Sequence, residues 1–199
     1  MFVLPTVEVR WFFDSPPFSI SDYFSSDHQA PIRTDWYALP SDIGCGIKIR
    51  EGRLETKLRE ACLGEHEFLH NVCGKLEQWK KWSCEIIEGD VPTNEILTST
   101  NWFALDKERF VRRFEVSDTG IEETFDRPQN GCSFEITKLS ARGKTWYTVG
   151  FEANGNSDQL RPNLMAVANH LNEIKPFPDG HEINNSFGYP EWLNRHLNL

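Results

Sequence analysis

Cationic side chains recur at every second position in a stretch of the chain that has the pattern of a β-hairpin. Lys48 and Arg50 precede the dipeptide Glu51-Gly52, and Lys57 and Arg59 follow it. Because successive side chains of a strand point to opposite faces, the two cations of each strand share one face. A face of this kind can hold a small anion through charge-assisted hydrogen bonds.

The same alternation of polar and apolar residues recurs in four other stretches of the chain. The polar members are Thr6, Glu8 and Arg10, then Lys107, Arg109 and Arg113, then Ser133, Glu135 and Thr137, and last Thr148 and Glu152. The residues between them are mostly aromatic or branched apolar side chains. A period of two predicts strands that have one ionic face and one apolar face.

The overall charge is opposite in sign to these cationic stretches. The chain has 199 residues and a formal net charge of -9, which argues against a general nucleic-acid binder because such binders need a broad basic surface. Cations gathered in one cleft of an acidic protein would instead concentrate a small anion there. We therefore expect no nucleic-acid partner and a small anionic ligand.

The strands that must position these residues can be located from the same pattern, and they make the chain mainly β. We predict strands over 2–13, 34–39, 75–88 and 93–116, and hairpins over 46–59 and 130–152, the second turning at 141–144. A helix is predicted over 159–174, where the apolar residues have helical spacing. Residues 14–33 are expected to form a loop with a helical turn near 20–24, and 60–74 fit either a short helix or a loop.

The length of 199 residues fits one domain, or one domain with an extension. No stretch reaches the roughly 20 apolar residues of a membrane span, and the first residues lack the pattern of a signal peptide. We therefore expect a cytoplasmic protein without a membrane partner. The five cysteines are scattered and contain no C-x-x-C pair, which favours reduced thiols over disulfides or a zinc site.

Strands of this kind can be arranged in two ways. In an open antiparallel sheet the ionic faces would simply meet water. In a closed barrel they would line a charged lumen, whose like charges would repel one another until an anion entered. The alternation by itself does not separate these two folds.

The order of the charged stretches resembles the CYTH domain, also called the triphosphate tunnel metalloenzyme fold. Residues 6–10 (TVEVR) stand where that family has E-x-E-x-K, and residues 48–50 (KIR) where it has R-x-R. Residues 56–57 with 58–59 (TKLR) stand where it has T-x-K, and residues 107–109 (KER) where it has K-x-R. Glu135 and Glu152 occupy the places of the late carboxylates. The resemblance covers roughly residues 4–175, and it departs from the family at Thr6 and Arg10.

The resemblance implies an antiparallel β-barrel or tunnel with a C-terminal helix, formed by residues 1–175, and a packed extension of residues 176–199. It implies hydrolysis of a triphosphate-containing small molecule in the lumen with Mg²⁺ or Mn²⁺. The implied catalytic residues are Glu8, Arg50 and Lys57, and the implied metal ligands are Glu8, Glu135 and Glu152. The implied substrate-binding residues are Arg10, Lys48, Arg59, Lys107, Arg109 and Arg113.

Two other functions stay open at this point. Thr6 replaces a carboxylate of the family pattern, which favours a non-catalytic module that binds polyanions and has lost its metal site. The aromatic segment from Phe187 to Trp192 favours a β-sheet scaffold that binds a protein partner. Whether the protein is an enzyme, and which triphosphate it would bind, is not decided by the sequence.

Overall fold

The structure, a computed structural model, describes residues 2–39, 42–68, 72–86 and 102–197. The strands are β1 (Phe2–Phe13), β2 (Arg33–Ala38), β3 (Cys45–Arg50), β4 (Arg53–Phe68), β5 (Val72–Glu85), β6 (Trp102–Ser117), β7 (Gly120–Thr124), β8 (Gly131–Ala141) and β9 (Lys144–Asn154). The helices are α1 (Leu160–Ile174) and α2 (Tyr189–Leu197), with 3-10 turns at Ile20–Asp22, Ser26–His28 and Ile183–Asn185. Neither helix has the length and hydropathy needed to span a membrane, within these described ranges.

Eight of the strands form a closed antiparallel barrel. They are hydrogen-bonded in the order β2-β3-β4-β5-β1-β9-β8-β6, and pairing of β2 with β6 closes the ring. β7 extends the wall by pairing with the last residues of β6. The prediction of a closed barrel is therefore confirmed, and the alternative of an open sheet is wrong for the described part of the chain.

Two tight turns set the register of the hairpins. Glu51 and Gly52 have φ values of 48° and 69°, and Arg142 and Gly143 have values of 48° and 75°. Two successive residues with positive φ form the kind of two-residue turn whose twist matches that of the flanking strands. Both predicted hairpins are present and turn where the sequence indicated.

The structure corrects the prediction of a helix or loop over 60–74. β4 continues to Phe68 and β5 begins at Val72. Register shifts between Arg59 and Ala61 and again between Cys62 and Gly64 interrupt the alternation. Because such bulges change which face a side chain points to, a period of two could not be recognised there. The predicted strand residues 87–88 and 93–101 lie outside the described residues.

Helix α1 covers the outer face of the barrel. Leu164, Val167 and Leu171 lie on one side of the helix and are at most 1% exposed. They pack against outward-facing strand residues such as Phe134 and Phe151. This apolar face matches the predicted helix over 159–174, and the core that it forms lies outside the lumen.

Helix α2 fills one end of the lumen. Trp192 is fully buried, and its ring lies 5.3 Å from that of Phe12 and 5.3 Å from that of Trp146. Phe187 stacks on Phe12 from the same end. A second apolar core therefore occupies the interior of the barrel at this end and closes the lumen there.

The segment before α2 joins the wall of the barrel. The Phe187 amide donates to the Arg10 carbonyl at 3.0 Å, and Ser186 forms a β-bridge with Trp11. The Ser186 hydroxyl accepts from the Lys75 amide at 2.8 Å. This segment thus fills the gap in the wall where β1 and β5 cease to pair. The predicted packing of the C-terminal extension onto the barrel is confirmed.

Candidate anion-binding site

The part of the lumen that α2 leaves open is a cavity of about 240 Å³ with a cationic wall. Among the described residues, ten cationic side chains and four carboxylates line it. The cations are Arg10, Arg33, Lys48, Arg50, Lys57, Lys81, Lys107, Arg109, Arg113 and Arg127, and the carboxylates are Glu8, Glu55, Glu135 and Glu152. A surplus of cations in a cleft of an acidic protein produces a local field that attracts anions.

Strand alternation places these side chains. In β1, Glu8 and Arg10 point into the lumen, whereas Val7, Val9 and Trp11 belong to the core under α1. The other strands of the barrel follow the same rule, since neighbouring positions of a strand face opposite sides of the wall. The outer core therefore holds the ionic faces together inside the barrel.

Asp35 is the centre of a buried ionic cluster. It is 0% exposed, and its carboxylate lies 3.2 Å from Lys48 Nζ, 3.2 Å from Lys107 Nζ and 3.1 Å from Arg33 Nε. Burial alone would raise the pKa of Asp35, but these cations hold it well below its usual range. The carboxylate is therefore ionised and neutralises part of the cationic wall.

The two lysines of this cluster are easier to deprotonate than ordinary lysines. Burial lowers the pKa of Lys48 to about 7 and that of Lys107 to about 8, although Asp35 acts in the opposite direction. Lys107 Nζ donates to Tyr37 Oη at 2.7 Å and lies 3.9 Å from the centre of the Tyr189 ring. The charge of the cavity therefore changes near neutral pH.

Glu135 of β8 joins Arg10 of β1 and Arg109 of β6. Its oxygens lie 2.7 Å from Arg10 Nη2 and 2.6 Å from Arg109 Nε. Burial would raise the pKa of Glu135, but the two guanidinium groups lower it well below its usual range. Gly150 leaves room for Arg10, because a Cβ atom at this position would lie 3.0 Å from the Arg10 Cζ.

Glu8 and Glu152 form the third ionic group. They face each other across the β1–β9 pair, and the Lys57 ammonium contacts Glu8 and lies 3.9 Å from Glu152. Glu8 also accepts from the Thr6 hydroxyl at 2.7 Å, and Arg127 lies 3.6 Å from Glu152. Burial would lower the pKa of Lys57, but the two carboxylates raise it.

The three predicted metal ligands do not form a metal centre in this arrangement. Both oxygens of Glu135 are engaged by arginines, and Lys57 occupies the place between Glu8 and Glu152. In the described ranges there is no group of three or more His, Cys, Asp or Glu side chains that could hold a metal ion. A Mg²⁺ or Mn²⁺ site at these residues stays a prediction from the resemblance.

Most of the predicted substrate-binding and catalytic residues meet in the cavity. Glu8, Arg10, Lys48, Arg50, Lys57, Lys107, Arg109 and Arg113 all line it. Arg59 is not among the lining residues. Its guanidinium lies 2.5 Å from Glu77 and over the Trp79 ring, next to the closed end of the lumen.

Several lining residues were not recognised as site residues from the sequence. Arg33 and Tyr37 alternate with apolar or small residues in β2 around Asp35, and this alternation could have revealed them. Arg127 lies in a loop and Tyr189 at the start of α2, so no periodic pattern marks either residue. Their positions depend on how distant segments pack.

Comparison with known proteins does not assign the chain to a family. No protein-family model matches the chain, and no curated protein sequence matches it significantly.

Proposed function

We propose that the lumen binds a small polyphosphate anion, of which a triphosphate-containing small molecule is the expected example. The observation that supports this most directly is that, within the described part of the chain, ten cations and only four carboxylates line the cavity of a protein whose net charge is -9. Cations that are partly shielded from bulk water in a cavity interact with an anion more strongly than the same cations in water. Phosphate oxygens suit this wall, because arginine donors bind them in pairs.

The arrangement of charges supports a polyanion over a single small ion. No ion pair of Arg113 with a carboxylate is present among the described residues, and its Nη1 instead donates to the Phe125 carbonyl at 3.0 Å. Arg50 and Lys81 both contact Glu55, at 3.0 Å and 2.9 Å, so they share one negative charge. Unmatched cations thus lie on several strands, and a ligand with several charged oxygens would reach more of them.

Thermal unfolding in the presence of anions tests the proposal. A ligand that binds only the folded protein stabilises it by about 2.7 kcal/mol at a hundredfold excess over its dissociation constant. We expect tripolyphosphate to raise the melting temperature at low salt, and sulfate to raise it much less. No shift with any polyphosphate, with or without Mg²⁺, would contradict the proposal and favour the scaffold function.

Two neighbouring lysines of β5 provide a matched pair of variants. Lys81 lines the cavity, whereas Lys80 pairs with Glu60 and lies on the opposite face of the strand. Lys81→Met should weaken tripolyphosphate binding measured by calorimetry, and Lys80→Met should leave it unchanged. Equal effects would show that the anion binds outside the lumen.

Hydrolysis of the bound triphosphate is a second candidate function. The observation that favours it is the pair of carboxylates, Glu8 and Glu152, on the cavity wall, since a carboxylate can orient or deprotonate water. Phosphate release should then be detectable with Mg²⁺ or Mn²⁺ present, and Glu8→Gln should abolish it without weakening binding. Lys57→Ala should weaken binding whether or not the protein turns over. Binding without phosphate release would favour the non-catalytic module.

A further inference from the structure

The two lysines of the Asp35 cluster differ in how many partners surround their amines. The Lys107 ammonium lies 2.7 Å from Tyr37 Oη and 3.9 Å from the centre of the Tyr189 ring. It also lies 3.2 Å from the Asp35 carboxylate, and its side chain is only 5% exposed. Because an ammonium group has three N–H donors, these three partners leave none of them for a ligand.

The Lys48 amine has two anionic partners and otherwise faces the cavity. Its Nζ lies 3.2 Å from the Asp35 carboxylate and 3.4 Å from that of Glu55. The centre of the Tyr37 ring is farther away, at 5.6 Å. The Lys48 side chain is 19% exposed and lines the cavity. Within the described ranges, the third direction around this nitrogen is therefore open to a ligand.

The surroundings of Lys48 also make its amine a potential nucleophile. Only a neutral amine has the lone pair that attacks a carbonyl carbon, and burial of a lysine beside other cations favours this neutral form. Burial lowers the pKa of Lys48 to about 7, and the Lys107 and Arg50 cations act in the same direction. The Asp35 and Glu55 carboxylates act in the opposite direction without restoring the ordinary value. A large fraction of Lys48 is therefore neutral near pH 7.

Cations that can hold a phosphate lie beside this amine. The Glu55 carboxylate, which contacts Lys48, also contacts Arg50 at 3.0 Å and Lys81 at 2.9 Å. Arg50 and Lys81 line the cavity as well, and they share this single negative charge. A phosphate bound by these two residues would therefore lie next to the Lys48 amine.

We propose that Lys48 forms an imine with the carbonyl group of a small phosphorylated aldehyde whose phosphate is bound by Arg50 and Lys81. The inference rests on the proposed function, since the lumen must bind phosphate to recruit the aldehyde, and it adds a covalent activity to that binding. The phosphate places the carbonyl carbon beside Nζ, so the reaction takes place within one complex instead of between two molecules in solution.

The reaction needs no oxidant or reductant. The Nζ lone pair attacks the carbonyl carbon, a C–N bond forms, and the carbonyl oxygen takes a proton from the nitrogen to give a carbinolamine. The new hydroxyl then takes up the proton that the lysine ammonium had lost, and it leaves as water while the nitrogen lone pair forms the C=N bond. The net change converts an ammonium and an aldehyde into an iminium and water. The Asp35 and Glu55 carboxylates remain as counter-charges of the iminium.

Reductive trapping with glycolaldehyde phosphate tests this assignment. Cyanoborohydride reduces an imine to a stable secondary amine, so peptide mass spectrometry identifies the modified lysine. We expect modification at Lys48 and none at Lys57, another lysine of the cavity, because two carboxylates raise the pKa of Lys57. Lys48 should react at least about ten-fold faster with this probe than with unphosphorylated glycolaldehyde, because a cationic cleft concentrates anions by about 10- to 1000-fold. Excess tripolyphosphate should protect Lys48.

Two variants serve as controls. Lys48→Arg keeps a positive charge but has no amine to form the imine, so the trapped adduct should disappear. Lys80→Met should leave the rate at Lys48 unchanged, because Lys80 lies on the outer face of β5.

The outcomes separate this assignment from the proposed function. If Lys48 is not modified selectively, or reacts equally fast with both aldehydes, while tripolyphosphate raises the melting temperature, the imine assignment is wrong and the anion site stands. If tripolyphosphate neither raises the melting temperature nor protects Lys48, the proposed function fails and the assignment fails with it.

Discussion

Asp35→Asn removes the charge at the centre of the ionic lumen and keeps the shape of the side chain. Asp35 is fully buried and contacts Lys48, Lys107 and Arg33 at 3.1–3.2 Å. The amide oxygen can still accept hydrogen bonds, but the amide nitrogen cannot, and the three cations lose their shared counter-charge. Breaking a buried ion pair by removing one partner costs about 3–5 kcal/mol, because the other charge stays buried.

The fall in the free energy of unfolding caused by Asp35→Asn should depend on pH. Lys48 and Lys107 have pKa values of about 7 and about 8, so in the variant they can relieve part of the cost by losing protons. We therefore expect the free energy of unfolding to fall by about 3 kcal/mol at pH 7, and by less at pH 9. The lysines bind more protons when unfolded, so the stability of the wild-type protein should rise with pH from about 7 toward their ordinary pKa of about 10.4.

Acid should remove the contribution of Asp35 itself to the free energy of unfolding. The pKa of Asp35 is lower in the folded protein than in the unfolded chain. Its contribution to stability is therefore complete above its unfolded pKa of about 3.9 and is lost as pH falls below that value. The difference in the free energy of unfolding between the wild-type protein and Asp35→Asn should therefore become smaller below about pH 4.

Urea unfolding followed by tryptophan fluorescence measures these differences, since Trp11, Trp79 and Trp192 are buried. The control is Asp22→Asn, which breaks the pair that Asp22 forms with Lys175 at 2.8 Å, where both side chains are more than 40% exposed. An exposed pair of this kind contributes at most about 1 kcal/mol. If Asp35→Asn costs no more than Asp22→Asn at pH 7, the buried cluster does not stabilise the barrel and the reasoning is refuted.

Three further predictions concern the lumen and its closed end. Tripolyphosphate should bind more weakly at pH 9 than at pH 6, because Lys48 and Lys107 lose their protons between these values; calorimetry that finds no change would show that neither lysine contacts the anion. Trp192→Ala should lower the free energy of unfolding by about 3–5 kcal/mol, because a fully buried ring leaves a cavity at the closed end. Urea unfolding checks this, and a loss below about 1 kcal/mol would contradict the closing role of α2. Gly150→Ala should weaken tripolyphosphate binding by displacing the Arg10 guanidinium, whose Cζ would lie 3.0 Å from the new Cβ; unchanged affinity in calorimetry would mean that Arg10 is not a ligand.

The face on which each charged residue lies could be predicted from the sequence. Glu8 and Arg10, Lys48 and Arg50, and Lys107 and Arg109 occupy alternate positions, and all of them line the cavity. The prediction of the face succeeds because the direction of a strand side chain is a local property of the backbone. The hairpin turn at residues 51–52 and the apolar face of α1 were predictable for the same reason.

The alternation did not show how deep in the barrel each residue lies. Arg59 has the same parity as Lys57, yet it lies next to Glu77 and Trp79 at the closed end instead of in the cavity. Depth depends on where α2 enters the lumen. That position is set by contacts between residues far apart in the chain, such as those of Trp192 with Phe12.

Strand periodicity, turn positions and the amphipathic helix could be predicted from the amino-acid sequence alone, because these features depend on sterics within a few residues. Closure of the sheet, the contacts of Asp35 with three cations, and the position of Arg127 in the cavity wall depend on the tertiary structure. Ion pairs and strand pairing join segments that are distant in sequence, so their partners depend on the packing of the whole chain. The charged faces of separate strands become one anion-binding cavity only when pairing of β2 with β6 closes the barrel.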